Sequence, residues 1–336
     1  MRNVSTLPEA TPSHLPRWRG FNLLGKYSLH QQHFGSFQEW DFQMISEWGF
    51  NFVRFPMDYR LWIKDGDWRR IDPEAFGDLD QAIKWANHRG LHVSLNIHRA
   101  PGYCINLPKE PKDLWTNEEA QEVCASHWAF FAKRYQGISN SEMSFDLINE
   151  PDGVDNPTYA KVIRLLVEAI RKEDPKRLII ADGTEVGTRP VSELISLGIA
   201  QATRGYQPME ISHYLAPWSP GGGQHPQPVW PLEKEGQRLD KEWMRRTNIQ
   251  PWKELEAFGV GLLVGEWGVY NRTPHEVVLA WMKDNLELWK EAGWGWALWN
   301  FRGDFGPLNS QRADVKYENY EGHQLDRKML ELLRAF

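Results

Sequence analysis

The sequence predicts a single (β/α)8 TIM barrel, and three observations predict it. Apolar, β-prone runs alternate with segments of helical spacing eight times along the chain, an order that calls for a parallel sheet with right-handed crossovers. A length of 336 residues suits one such barrel. The competing open, doubly wound sheet would carry a glycine-rich nucleotide turn after its first strand, and Gly20 and Gly25 do not make that fingerprint. Residues 1–16, with Pro8, Pro12 and Pro16, read as an irregular leading arm; residues 17–336 read as the barrel, with no internal boundary or repeat.

The elements follow in order. Residues 17–24 form the first predicted strand. Residues 36–48 carry Phe37, Trp40, Met44, Ile45 and Trp48 at helical spacing, stopped by Gly49. The second strand, 51–57, is apolar around one charge, Arg54. Asp72-Pro73-Glu74 opens a helix with a capping residue and a proline at its start, and Gly90 closes it. Strands at 91–98 and 143–150 flank a helix at 118–137. A helix at 158–174 ends before Pro175, the fifth strand covers 177–182, and a short helix covers 191–199. The sixth strand is predicted at 209–214. A Pro/Gly-rich loop, 217–231, follows with Trp218, Gly221-Gly222-Gly223, His225 and Trp230; connections of this length in compact domains are often functional. A helix at 240–258, interrupted at Pro251, a strand at 261–267, a helix at 274–292, a strand at 295–300 and a helix at 324–335 complete the chain.

Composition narrows the partners. The formal charge is -6 and there is no basic block, which argues against nucleic acid. No stretch is long and apolar enough to span a membrane. Residues 1–19 lack the apolar core of a signal peptide, so the compartment stays open between cytoplasmic and secreted with the leader absent. Cys104 and Cys124 make no metal pattern, and spacing alone leaves them open as thiols or as a bridge. The chain holds 18 Trp, 10 Tyr and 15 Phe. Most serve a core, but Trp62, Trp115, Trp218 and Trp230 fall in predicted loops, where flat rings can stack on sugars.

In a barrel of this kind the C-terminal strand tips share one basin. Here those tips are Asn22, Arg54, His98, Asn149 with Glu150, Asp182, His213 with Tyr214, Glu266, and Trp299. A buried carboxylate is unfavourable unless paired or used. Two of them, Glu150 and Glu266, end separate apolar runs, and two carboxylates are what a glycosidase needs. Arg54 needs an anionic partner inside its strand, and Glu266 is the expected one, held ionised by that contact. His98 and His213 are expected to meet substrate hydroxyls or tune the glutamates. A zinc set of His98, His213 and Glu266 lacks any HExxH or His-x-His spacing, and no G-x-S-x-G elbow marks a nucleophilic serine. No metal and no cofactor are expected.

The sequence resembles glycoside hydrolase family 5, the cellulase-type family. The pieces that carry the likeness are Asn51-Phe52-Val53-Arg54-Phe55-Pro56, the strand ending at His98, Asn149-Glu150-Pro151, Ile211-Ser212-His213-Tyr214, Gly265-Glu266-Trp267-Gly268 and Trp296-Ala297-Leu298-Trp299-Asn300. The resemblance implies a retaining enzyme with Glu150 as acid/base and Glu266 as nucleophile. It also implies that Arg54 and Asn149 position the nucleophile and a sugar hydroxyl, and that His98, His213 and Trp299 line the subsite. In many members a tyrosine follows the histidine by two residues; here that position is Leu215, and strand alternation turns Tyr214 away unless the backbone bulges. The expected substrate is an oligo- or polysaccharide, with internal cleavage of β-1,4-glucan first. β-Mannan and exo-acting β-glucosidase or β-mannosidase activity are the alternatives, and a non-catalytic sugar-binding barrel is the contrasting class.

Overall fold

Eight buried runs pair with their sequence neighbours and close on themselves. The computed structural model describes residues 7–29, 35–219 and 226–336. The strands are β1 (Arg19–Asn22), β2 (Phe52–Asp58), β3 (His92–Arg99), β4 (Met143–Ile148), β5 (Ile179–Asp182), β6 (Ala200–Gly205), β7 (Leu262–Trp267) and β8 (Gly295–Leu298). They form one closed parallel barrel, with β1 paired to both β2 and β8. The glycine run 221–223, His225 and residues 1–6 lie outside the described residues.

Outside the strands stand α1 (Glu39–Glu47), α2 (Gly77–His88), α3 (Glu118–Arg134), α4 (Asn156–Glu173), α5 (Gln250–Glu256), α6 (His275–Ala292) and α7 (Arg327–Ala335). Their starts follow local chemistry. Asn117 accepts from the Ala120 N–H at 3.0 Å and Asp155 from the Thr158 N–H at 2.8 Å, each satisfying a donor that the helix leaves open. Asp72 accepts from the Glu74 N–H at 3.0 Å and opens a short 3-10 turn, Pro73–Phe76, before α2. The interruption expected near Pro251 is a π-helical turn, Arg245–Ile249, that leads into α5.

The sixth strand differs from expectation. It is Ala200–Gly205, while residues 209–214 hold one helical turn, Met209–Ser212, and the loop after it. The true strand lacks bulky apolar residues because its neighbours supply the bulk. A Cβ on Gly205 would lie 2.7 Å from the Trp289 ring and 2.9 Å from Trp267. Gln201 is buried and bonds both backbone groups of Val191, accepting at 3.1 Å and donating at 2.8 Å. Apart from Arg204 near its end, the strand is therefore built from small residues and one satisfied amide, a composition that hides it from apolar periodicity.

Residues 10–18 form the floor. The Gly261 N–H donates to the Pro12 carbonyl at 2.7 Å, and Ala10, Leu15 and Trp18 join Phe52, Ile180 and Leu263 in a cluster beneath the barrel. Trp18 is fully buried and stacks on His92 at 3.8 Å and on Phe52 at 5.3 Å. Trp18→Ala is expected to cost about 3–5 kcal/mol of stability, because the floor cannot collapse into an indole-sized void. Urea unfolding monitored by circular dichroism reads this as a lower midpoint.

Cys104 and Cys124 are both buried free thiols. Among the described residues, no helix is long and apolar enough to cross a membrane.

Candidate active site

A charge inside an apolar strand must find partners, and Arg54 finds four. From β2 its Nε donates to Asp146 at 2.7 Å, Nη1 to Asn22 at 3.0 Å and to Glu266 at 2.5 Å, and Nη2 to Asn149 at 2.9 Å. Glu266 reaches this position through an irregularity in β7. The register against β6 shifts between Val264 and Glu266, a bulge that lets both Gly265 and Glu266 face inward. A Cβ on Gly265 would lie 2.7 Å from Arg204 Nη1, so any larger residue there would push that nitrogen off its bond to Asp182.

Glu150 follows the end of β4 with a left-handed backbone, φ 47°, uncommon for a side chain of its size. Contacts on both sides hold it there. Its N–H donates to Asp182 at 2.8 Å, and its carbonyl accepts from the Tyr103 hydroxyl at 2.6 Å.

Sequence reading missed two residues, one at the tip of the strand it displaced and one just beyond it. Arg204, at the tip of β6, donates from Nε to Glu150 at 3.1 Å, from Nη1 to Asp182 at 2.9 Å and from Nη2 to Asn149 at 2.9 Å. Nη2 also pairs with Asp182 and stands 3.6 Å from Glu266 Oε1. Tyr206 donates to Glu266 Oε2 at 3.3 Å, so it occupies the place beside this carboxylate that the resemblance gives to a tyrosine. The signal was present: Arg204-Gly205-Tyr206 keeps the spacing of two, with arginine where histidine was expected.

The other expected residues divide. His98 Nδ1 is 3.9 Å from Glu266, its Nε2 accepts from Asn106 at 3.2 Å, and its ring stacks on Trp299 at 5.7 Å. His213 lines the cleft from the end of the Met209–Ser212 turn, not from a strand tip, edge-on to Tyr206. Tyr214 is not among the cleft-lining residues; its expected place belongs to Tyr206. Of the four loop tryptophans, Trp218 lines the cleft and is 56% exposed. Trp62 and Trp115 are buried as packing, and Trp230 donates to Asp284 at 2.9 Å.

The two glutamates sit in opposite fields. Burial alone would raise both. For Glu266 the positive charges of Arg204 and Arg54 outweigh burial and hold the carboxyl below the usual range. For Glu150 burial and the negative charge of Glu266 prevail over Arg204, pushing it up to about 8. Burial keeps His98 neutral, helped by the charges of Arg54, Arg204 and Arg99, with its value down at about 3. Among the described residues, no group of three or more His, Cys, Asp or Glu could hold a metal ion. The cleft encloses about 1220 Å³, and Tyr27, Glu150, Glu266, Trp218, Trp299 and Phe305 are among its walls.

The cellulase model of glycosyl hydrolase family 5 matches residues 16–304. The chain belongs to glycosyl hydrolase family 5. Endoglucanase C of Acetivibrio thermocellus is 28% identical to this family 5 member over 331 residues, covering 89% of this chain and 95% of the relative. A solved glycoside hydrolase shares 39% identity with a TM-score of 0.90, covering 95% of this chain and 99% of the other. Thermotoga maritima Cel5A, solved with a mannotriose substrate, is 22% identical and shares the fold at a TM-score of 0.75, over 94% of this chain and 97% of that one. The sequence expectation of a family 5 barrel therefore holds.

Proposed function

We propose that this family 5 glycoside hydrolase is a retaining enzyme that cuts β-1,4-linked glucan within the chain. Glu266 attacks the anomeric carbon while Glu150 protonates the leaving oxygen; Glu150 then deprotonates the water that releases the sugar. One observation carries the reading. The two carboxylates share the Arg204 guanidinium at 3.1 and 3.6 Å while their surroundings favour a proton on one and a charge on the other. That division of roles between neighbouring carboxyls marks acid and nucleophile. A spacing of about 5–5.5 Å suits retention, and joint contact with one guanidinium fits it.

Asn149 Nδ2 is buried with no protein partner among the described residues, an unused donor beside the two arginines that hold the carboxylates. The cleft exceeds the ~300–1,000 Å³ of small-molecule sites, which suits a run of several sugars. The name of the A. thermocellus relative favours glucan; the mannotriose complex of Cel5A keeps β-mannan as the comparison substrate. Proton NMR of cellotetraose hydrolysis tests the proposal, with β-mannan and aryl monoglycosides run alongside. Oligosaccharide products with the β-anomer formed first are expected. The α-anomer first would overturn retention, and turnover of aryl monoglycosides alone would overturn internal cleavage.

A further inference from the structure

We propose that Arg204 is the positioning residue that turns Glu150 from acid into base between the two halves of the reaction, a role that rests on the two-glutamate reading above. A guanidinium keeps its charge at any working pH, so Arg204 is a constant while its surroundings change. In the resting enzyme it is shared among Glu150, Glu266 and Asp182. In the first half the Glu266 carboxylate forms a bond to the anomeric carbon. The bond from that carbon to the leaving oxygen breaks, its electron pair goes to that oxygen, and the oxygen takes the Glu150 proton. Glu266 is then an uncharged ester, and Glu150 is a carboxylate.

That bond rearranges the field at Glu150 without moving an atom of Arg204. The charge that repelled an ionised Glu150 is gone, while the cation 3.1 Å from its Oε1 remains and no longer faces a charged Glu266. Asp182, which burial pushes up to about 7, adds its negative charge to the field that raises Glu150, and it pairs with the same guanidinium. Asp182 also accepts from the Glu150 N–H and Tyr103 donates to the Glu150 carbonyl, and the Tyr27 and Tyr206 phenols, both pushed well up by burial, stay neutral. An ionised Glu150 is therefore favoured when a base is needed. In the second half it takes a proton from water, the water oxygen bonds to the anomeric carbon, and the ester bond breaks with its electrons returning to Glu266. Glu150 is again protonated, and Glu266 is charged. Arg54 cannot substitute, because its donors go to Asp146, Asn22, Glu266 and Asn149, and none to Glu150.

The test uses a 2,4-dinitrophenyl β-cellobioside, whose leaving group needs no proton, so kcat reads the second half. Arg204→Gln removes the charge. The double variant Arg204→Met with Asp182→Asn removes both members of the buried pair and guards against misfolding, and Arg204→Lys keeps the charge but loses the fork. For the two uncharged replacements, kcat is expected to fall about tenfold or more. The acid limb of its pH profile is expected to move up by about one pH unit, and azide, which needs no base, is expected to restore turnover. Arg204→Lys is expected to lie between them and the parent. A folded variant whose acid limb stays in place and whose rate ignores azide overturns the role. Glu150→Ala serves as the control: without azide rescue there, the two-glutamate reading itself fails. With rescue there and an unmoved limb in the Arg204 variants, only the inference falls.

Discussion

Glu266→Gln is expected to lower kcat by about four orders of magnitude or more, roughly 5 kcal/mol of transition-state stabilisation. Glutamine keeps the outline of the side chain and still offers an oxygen to Arg54 Nη1, which now donates to the carboxylate at 2.5 Å. What it removes is the charge that Arg54 and Arg204 hold in place and that must form the bond to the sugar. Binding of a β-1,4-oligosaccharide, measured by calorimetry, is expected to stay within a few-fold of the parent. Loss of both binding and folding is not expected, because Arg54 retains Asp146 at 2.7 Å. Turnover above about 1% of the parent would remove Glu266 from the nucleophile's role.

Glu150→Ala is expected to act selectively. On a polysaccharide with a poor leaving group the loss is about a thousandfold, within the range that general acid–base catalysis supplies. With a dinitrophenyl glycoside the first half is spared and the second stalls, so a burst of phenolate precedes a slow steady rate. Azide then yields a glycosyl azide of β configuration. The same residue sets one edge of the pH profile. Turnover needs Glu150 protonated and Glu266 ionised. As pH rises through the value of Glu150, about 8, the proton is lost and kcat/KM falls. As pH drops through the value of Glu266, below the ordinary carboxylate range, the nucleophile is lost. In Glu150→Gln the alkaline edge should vanish while the acid edge remains.

Arg54, Glu150 and Glu266 were legible because each interrupts an apolar run, and burying charge is unfavourable enough that such an interruption signals a partner. Asn149-Glu150-Pro151 was legible for a second reason: proline ends the ladder and marks a tip. Arg204 and Tyr206 were not legible. Ahead of Arg204 their segment holds alanine, glutamine and threonine, and after it Gly205 leaves room for Trp267 and Trp289, whereas pattern reading looks for bulk on the strand itself. The His213-Tyr214 pair downstream, in a segment with apolar Met209 and Ile211, then drew the assignment to the wrong place. The loop tryptophans misled in a similar way. Trp62 and Trp115 lie between elements in sequence, yet Trp62 Nε1 meets His127 at 3.0 Å and Trp115 packs on Tyr103 and Tyr159. A chain position between elements does not decide which way a ring turns.

The irregularity in β7 has a bearing on how the reactive carboxylate is encoded. Counting odd and even positions along that strand from Leu263, which lies in the cluster beneath the barrel, would send Glu266 outward and Trp267 into the basin. The opposite arrangement is found, with Trp267 packed on Trp281 and Trp289 of α6. One supernumerary residue swaps the two. Nucleophile identity in this molecule is thus written partly in main-chain parity: a regular, unbulged β7 of the same length would offer the sugar an indole instead of a carboxylate, with every catalytic side chain still present in the sequence.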